Sequence, residues 1–316
     1  MRAFLLKRCA TFVATLLGAS LVVFVVMDVL PGNAAQVILG PEAPAETVAA
    51  LAHKLGFDRP APERYFAWIG GMAQGDFGTS YTYNTPVGEL VGQALALTLP
   101  LAVMAMALNV AFGLGLGVYA ASHHNRLPDI VVMSVSQIGL AIPGFWLAIL
   151  LILLFAVELG WLPAGGFPGW GDGLWPALRA LILPTFVLAI VQSAILARVT
   201  RSAVLDVLNE DFIRTARAKG LSARAALWRH GLRNALIPIV TIMGLQFSGL
   251  IVLTIVVENV FYLPGLGRLI LNAIANRDLV VVRDAVMLVS AMVVGVNFIV
   301  DLLYVVIDPR LTLGNP

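Results

Sequence analysis

Six long apolar stretches dominate this sequence and limit what it can fold into. They lie at about residues 9–30, 94–121, 130–157, 180–200, 236–257 and 285–307. Each is close to the roughly 20 residues that an α-helix needs to cross a bilayer. A chain with 59% hydrophobic and only 12% charged residues could not hide this surface in a water-soluble core. We therefore predict an all-α membrane protein with six transmembrane helices.

The first apolar stretch has the basic start of a secretory signal but the length of a membrane helix. Arg2, Lys7 and Arg8 precede it, and it continues to Leu30. A cleaved signal has an apolar core of about 7–15 residues and ends at a site of small residues. This stretch is longer and ends in "MDVLPGN", which lacks such a site. We expect an uncleaved first transmembrane helix.

The connections between the stretches define four parts of the chain. We expect an N-terminal segment with the first helix (1–30), an extracytoplasmic region (31–93), a five-helix transmembrane core (94–307) and a cytoplasmic tail (308–316). Thirteen of the twenty Lys and Arg residues fall on the side that carries both termini. The positive-inside rule places that side in the cytoplasm. The sequence thus predicts a multi-pass protein of a bacterial inner membrane with both termini cytoplasmic.

The largest group of cations lies in the longest cytoplasmic connection, residues 201–235. The segment 211–238 has five Arg, one Lys and one His against one acidic residue. Helix-forming residues from Asp211 to Lys219, followed by Gly220, predict a helix that ends at a left-handed glycine. Ser222 is placed to cap a second short helix. A positive patch on anionic lipid would explain the charge, whereas the compact shape favours docking into a partner.

This helix–turn–helix resembles the E-A-A-x-x-x-G element of the permeases of binding-protein-dependent ABC importers. Arg214-Thr215-Ala216, three residues and Gly220 match the element, although Arg214 replaces its first Glu. "RHGLRNALIP" resembles the form found in the dipeptide, oligopeptide and nickel permeases. Eight further segments fit the family in order: "MDVLPGN", "LGFDRPAPERY", "GDFGTSY", "IPGFWLAILLILLFA", "GWLPAGG", "RVTRSAVLDVL", "ENVFYLPGLGRLILNAIANRD" and "NFIVDLLYVVIDPR". The chain is similar to the first, B-type, of two paired permeases.

The resemblance implies a type I ABC importer permease fold and a coupling role for the cytoplasmic loop. The residues that would contact an ATP-binding subunit are Thr215, Ala216, Arg217, Lys219, Gly220, Leu221 and Ser222. It also implies four kinds of partner: a second homologous permease, two ATP-binding subunits, an extracytoplasmic substrate-binding protein and membrane lipid. ATP and Mg would be bound by the ATP-binding subunits, with no cofactor in this chain.

The implied cargo is di- or oligopeptides, with nickel or glutathione-like compounds as the alternative. The chain departs from the family pattern at Ala96, at Val252-Leu253 and at Leu279-Val280. The middle change lies in the fifth apolar stretch, and it bears on the cargo more than on the fold. A secondary transporter working alone would need inverted repeats and broken helices with charge near the midplane, which the sequence does not indicate.

The chain offers few candidates for chemistry of its own. The adjacent His123 and His124 cannot face one metal site from a helix, and "GLGLG" at 113–117 lacks the rest of a phosphate loop. We therefore expect no catalytic or metal site, and glycines that allow close helix packing. The net charge of +2 argues against nucleic acid. Gln246, Glu258 and Asn259 are candidates for the substrate pathway, with interhelical hydrogen bonding or helix capping as the alternative.

Overall fold

A computed structural model of the protein describes residues 2–29, 34–56 and 58–307, so the predicted tail 308–316 lies outside the described residues. All regular elements in the described ranges are helical. They are α1 (Arg2–Phe24, then a π-helical turn Val25–Val29), α2 (Ala34–Leu39), α3 (Ala45–Leu55), α4 (Ala61–Ala73), α5 (Val87–Ser122), α6 (Leu127–Ala141), α7 (Gly144–Ile152, then a π-helical turn Leu153–Glu158), α8 (Leu174–Leu208), α9 (Asp211–Ala218), α10 (Ala223–Ala226, then a π-helical turn Leu227–Gly231), α11 (Leu232–Val260), α12 (Leu266–Ala275) and α13 (Leu279–Ile307).

Five of the six expected membrane spans are single long helices, and the third is broken into α6 and α7. Five helices in the described residues are long and apolar enough to cross a bilayer, and the pair α6 and α7, bent by 98°, brings the number to six where it is counted as one span. The break is at Ile142 and Pro143, which both have extended backbone angles. A proline disfavours helical geometry in the residue before it. Pro100, Pro184 and Pro238 are instead accommodated inside helices.

Several spans begin earlier than their apolar stretches indicate, and α5 and α13 show why. Helix α5 begins at Val87, within the predicted extracytoplasmic region, and α13 begins at Leu279 rather than near residue 285. The added turns contain Glu89, Gln93, Arg283 and Asp284, so a search for apolar runs excludes them. The other described residues of the 31–93 region include the short helices α2, α3 and α4.

The helices form two compact units, Met1–Thr98 with Pro264–Gly295, and Leu99–Leu263 with Val296–Pro316. The first unit has an ion-pair network beside its apolar core. Asp28, at the end of α1, accepts hydrogen bonds from Arg64 on α4 (2.5 Å) and Arg283 on α13 (3.0 Å). Asp284 accepts from the Trp68 indole (2.6 Å) and from Arg283 (3.1 Å). Because these charges are buried, each needs its partner, and together they hold three helices in register.

The second unit is built around α8, which packs against α6, α7 and α11. Helix α5 also approaches α8 closely through two glycines of the "GLGLG" stretch. A Cβ atom on Gly113 would lie 2.6 Å from Leu196, and one on Gly117 would lie 2.6 Å from the Ala197 carbonyl oxygen. A Cβ on Gly115 would meet nothing within 4 Å. The close-packing prediction is therefore right for Gly113 and Gly117, and Gly115 faces open space.

Candidate functional site

The loop between α8 and α11, which the sequence predicts to be cytoplasmic, has the expected helix–turn–helix geometry. Helix α9 ends at Ala218, Lys219 is its C-cap, and Gly220 follows with a left-handed φ of 96°. The Gly220 N–H donates to the Arg217 carbonyl (3.0 Å), and the Leu221 N–H donates to the Ala216 carbonyl (3.3 Å). These two bonds form a Schellman motif, which satisfies carbonyls that the helix end would leave exposed. The turn is therefore fixed by local hydrogen bonds.

The second short helix begins at the predicted cap. The Ser222 hydroxyl oxygen accepts a hydrogen bond from the Ala225 N–H at 3.2 Å, which is the standard N-cap contact to the third helical residue. Helix α10 then continues through its π-helical turn into α11. The loop thus joins two spans through a rigid path instead of a flexible linker.

One side chain anchors α9, and most of the others are presented outward. Ile213 is 1% exposed and lines the same cavity as Leu208 and Leu227. Of the residues proposed to contact a partner, Ala216 and Leu221 are half-buried and the others are exposed: Thr215, Arg217, Lys219, Gly220 and Ser222. The Thr215 hydroxyl donates back to the Asp211 carbonyl at 2.9 Å. The loop therefore offers a short, ordered and mostly exposed surface.

The helix that leads into this loop is clamped by a buried carboxylate that our sequence reasoning missed. Asp129, near the start of α6, accepts two hydrogen bonds from Arg201 on α8, at 2.5 and 2.7 Å, and one from the Asn125 N–H at 3.0 Å. His124 lies 3.4 Å from the same carboxylate. Arg201 precedes α9 by less than three helical turns, so this pair fixes the base from which the loop projects. Its only sequence signal is an acidic residue at the start of an apolar helix.

The three pathway candidates occupy different environments in the second unit. Gln246 is buried; its amide oxygen accepts from Asn109 (3.0 Å) and its amide nitrogen donates to the Gln192 carbonyl (2.9 Å). Glu258 is fully buried at the end of α11, where its carbonyl accepts from the Leu263 N–H (2.8 Å), and Asn259 is exposed. The geometry of Gln246 favours interhelical hydrogen bonding, the alternative left open by the sequence. A pathway role for the three residues stays a prediction.

Comparison with known proteins agrees with this architecture. The family described as "Binding-protein-dependent transport system inner membrane component" matches residues 113–313, and its N-terminal counterpart matches residues 1–102. The chain belongs to this family of ABC importer permeases. The two matches cover both the first helices and the 201–235 loop, and they place this permease in the bacterial inner membrane as a multi-pass protein. A permease of this kind works with ATP-binding and substrate-binding partners.

Relatives of this permease align along nearly its whole length. It is 42% identical over 308 residues to the "Glutathione transport system permease protein GsiC" of Salmonella choleraesuis strain SC-B67, with 98% of each chain covered. It is 40% identical over 310 residues to a "Putative peptide transport system permease protein" of Brucella suis biovar 1, with 98% of this chain and 99% of the relative covered.

A solved structure shares the fold of this permease. A chain of the methionine ABC transporter MetNI, in an inward-facing conformation, matches with a TM-score of 0.58 and 18% sequence identity. The match covers 69% of this permease and 96% of that chain. At this identity the likeness shows the fold alone, and it agrees with the predicted importer-permease fold. The cytoplasmic placement of both termini stays a prediction.

Proposed function

We propose that this permease forms half of a translocation pathway for di- or oligopeptides and couples it to ATP hydrolysis by partner subunits. A second homologous permease would supply the other half, and two subunits that bind ATP and Mg would dock on the cytoplasmic loops. The permease itself would not hydrolyse ATP. An extracytoplasmic binding protein would deliver the cargo.

The observation that carries the coupling role is the fixed turn at Gly220. Two backbone hydrogen bonds close α9, a side-chain cap opens α10, and Ile213 holds the loop against its unit. A loop that only satisfied the positive-inside rule would need charge but no such shape. A rigid projection can transmit a movement of the ATP-binding subunits to the spans α8 and α11, which flank it.

The cargo proposal rests on what the relatives transport. Two relatives that align over nearly the whole chain are named for glutathione and for peptides. Glutathione is itself a tripeptide, so one peptide-binding class includes both. Uptake of a labelled dipeptide and of glutathione by the assembled transporter would separate them, and the same assay with a nickel chelate would test the remaining alternative.

A matched pair of glycine variants tests the coupling role. Gly220 and Gly160 both have positive φ and open space where a Cβ would lie, but they are at opposite ends of the unit. Alanine in the left-handed region costs about 1–2 kcal/mol at either site. We expect Gly220→Ala to uncouple ATP hydrolysis from uptake, and Gly160→Ala to lower stability equally while coupling is kept. Equal effects of both variants on coupling would refute the proposal.

A further inference from the structure

A large apolar cavity lies directly behind α9. Its volume is about 1110 Å³, slightly above the range of about 300–1,000 Å³ that is common for ligand sites. Its walls come from the ends of α5 and α8, from α9 and from the start of α11. Six leucines line it: Leu114, Leu205, Leu208, Leu227, Leu232 and Leu236. Such a lining suits hydrocarbon and would give a hydrated peptide little to bind.

The polar residues of the same cavity are cationic or neutral. Arg217, His123 and His124 line it, and none of the described lining residues is acidic. In the described part of the chain, the Arg217 side chain has no hydrogen bond or ion pair, whereas its neighbour Arg214 pairs with Asp211 at 3.2 Å. The cavity therefore combines an apolar interior with a positive charge that lacks a counter-ion in the described structure.

Two exposed aromatic side chains also line this cavity. Trp228 is 57% exposed and Tyr119 is 49% exposed, and both line the cavity. Tryptophan and tyrosine favour the depth of lipid headgroups because their rings are apolar and their N–H and O–H groups are polar. Basic pockets between helices on the cytoplasmic side are suited to anionic headgroups.

We propose that this cavity binds an anionic phospholipid. Its acyl chains would lie against the leucines, and its phosphate would lie near Arg217. The charge complementarity selects this occupant over a neutral lipid or an apolar peptide segment, neither of which would neutralise Arg217.

The proposed lipid and the ATP-binding subunit would use adjoining faces of α9, and Arg217 is the one predicted subunit contact that also lines the cavity. Ile213 and Arg217 are one turn apart and both line the cavity, whereas Arg214 and Ala218 do not line it and are exposed. A lipid in the cavity would therefore support the helix from behind. The proposal stands apart from the coupling role, because lipid retention is measured on the permease alone.

The first test removes the charge. The full-length permease is purified in detergent with equal amounts of phosphatidylglycerol and phosphatidylcholine of the same acyl chains, and retained lipids are counted by native mass spectrometry. We expect phosphatidylglycerol to be preferred, and Arg217→Gln to reduce its retention about five-fold, the effect of one cation near an anionic headgroup. Arg214→Gln, on the same helix, should leave retention unchanged.

The second test fills the cavity. Gly115 lines it, and a Cβ there would meet nothing within 4 Å, so Gly115→Phe should fold and occupy the space. We expect this variant to lose phosphatidylglycerol. Gly92→Phe is the matched control, since Gly92 is on the same helix with similar open space but does not line the cavity.

Three results would overturn the proposal. One is equal retention of phosphatidylglycerol and phosphatidylcholine. Another is displacement of the lipid by soluble glycerol phosphate alone, which would indicate an anion site without acyl chains. The third is a Gly115→Phe variant that keeps the lipid but no longer assembles with its partner subunits, which would show that a protein segment fills the cavity.

Discussion

Removing the side chain that anchors α9 should loosen the coupling loop and leave the rest of the permease folded. Ile213 is 1% exposed, while Phe212 beside it is 43% exposed. Truncating a buried isoleucine to alanine costs about 2–5 kcal/mol. Since Ile213 borders a cavity instead of a fully packed core, we take the lower limit of about 2 kcal/mol. This corresponds to a roughly 30-fold increase in the undocked population of the loop.

The assay is hydrogen–deuterium exchange on the assembled transporter, combined with ATP hydrolysis and uptake. In Ile213→Ala we expect the amides of α9 to exchange up to about 30-fold faster, while those in the interior of α8 are unchanged, because local opening reports local stability. Uptake per ATP hydrolysed should fall. Phe212→Ala is the control. Because Phe212 is not the side chain that anchors α9, this variant should change neither the amide exchange of α9 nor the uptake per ATP hydrolysed. Unchanged exchange in α9, or an equal effect of both variants, would refute the reasoning.

Three further predictions concern packing and polar contacts in the second unit, each measured by thermal unfolding in detergent. Gly117→Ala should destabilise by about 1–3 kcal/mol because its Cβ would overlap α8, whereas Gly115→Ala should be neutral or stabilising; the reverse order would contradict the packing. Asp129→Asn should cost about 3 kcal/mol, since it leaves Arg201 without its charge partner, and Arg201→Gln added to it should cost little more. If the two substitutions lowered the free energy of unfolding additively, this would argue against an ion pair between Asp129 and Arg201. Gln246→Leu should cost about 1 kcal/mol, for two interhelical hydrogen bonds, with the KM for uptake unchanged; a changed KM at unchanged stability would place Gln246 in the pathway.

Local signals made the coupling loop predictable from sequence. Gly220 and Ser222 act through bonds to residues at most five positions away, so the chain itself reveals the Schellman turn and the cap. The number of spans also follows from local composition. The resemblance to the permease family extended this to the partners and the fold, and the family match agrees.

Interactions between distant residues were not predictable. Asp129 and Arg201 are 72 positions apart, and nothing in the sequence pairs them. The break at Pro143 could not be told from the prolines that stay within helices, because neighbouring helices decide whether the freed carbonyls are satisfied. The sequence left both a pathway role and a helix contact open for Gln246, and its partners Asn109 and Gln192 are known only from the structure.

Site-specific photo-crosslinking tests the central claim most directly, the docking of the 211–222 loop on an ATP-binding subunit. A photoreactive amino acid at Ala218, which is exposed on α9, would be compared with one at Gly160 in the transporter co-expressed with its partners. We predict a crosslink from position 218 to the ATP-binding subunit that changes in yield when ATP is added, and none from position 160. A crosslink from position 160 to that subunit, or crosslinks from position 218 to lipid alone, would contradict the account.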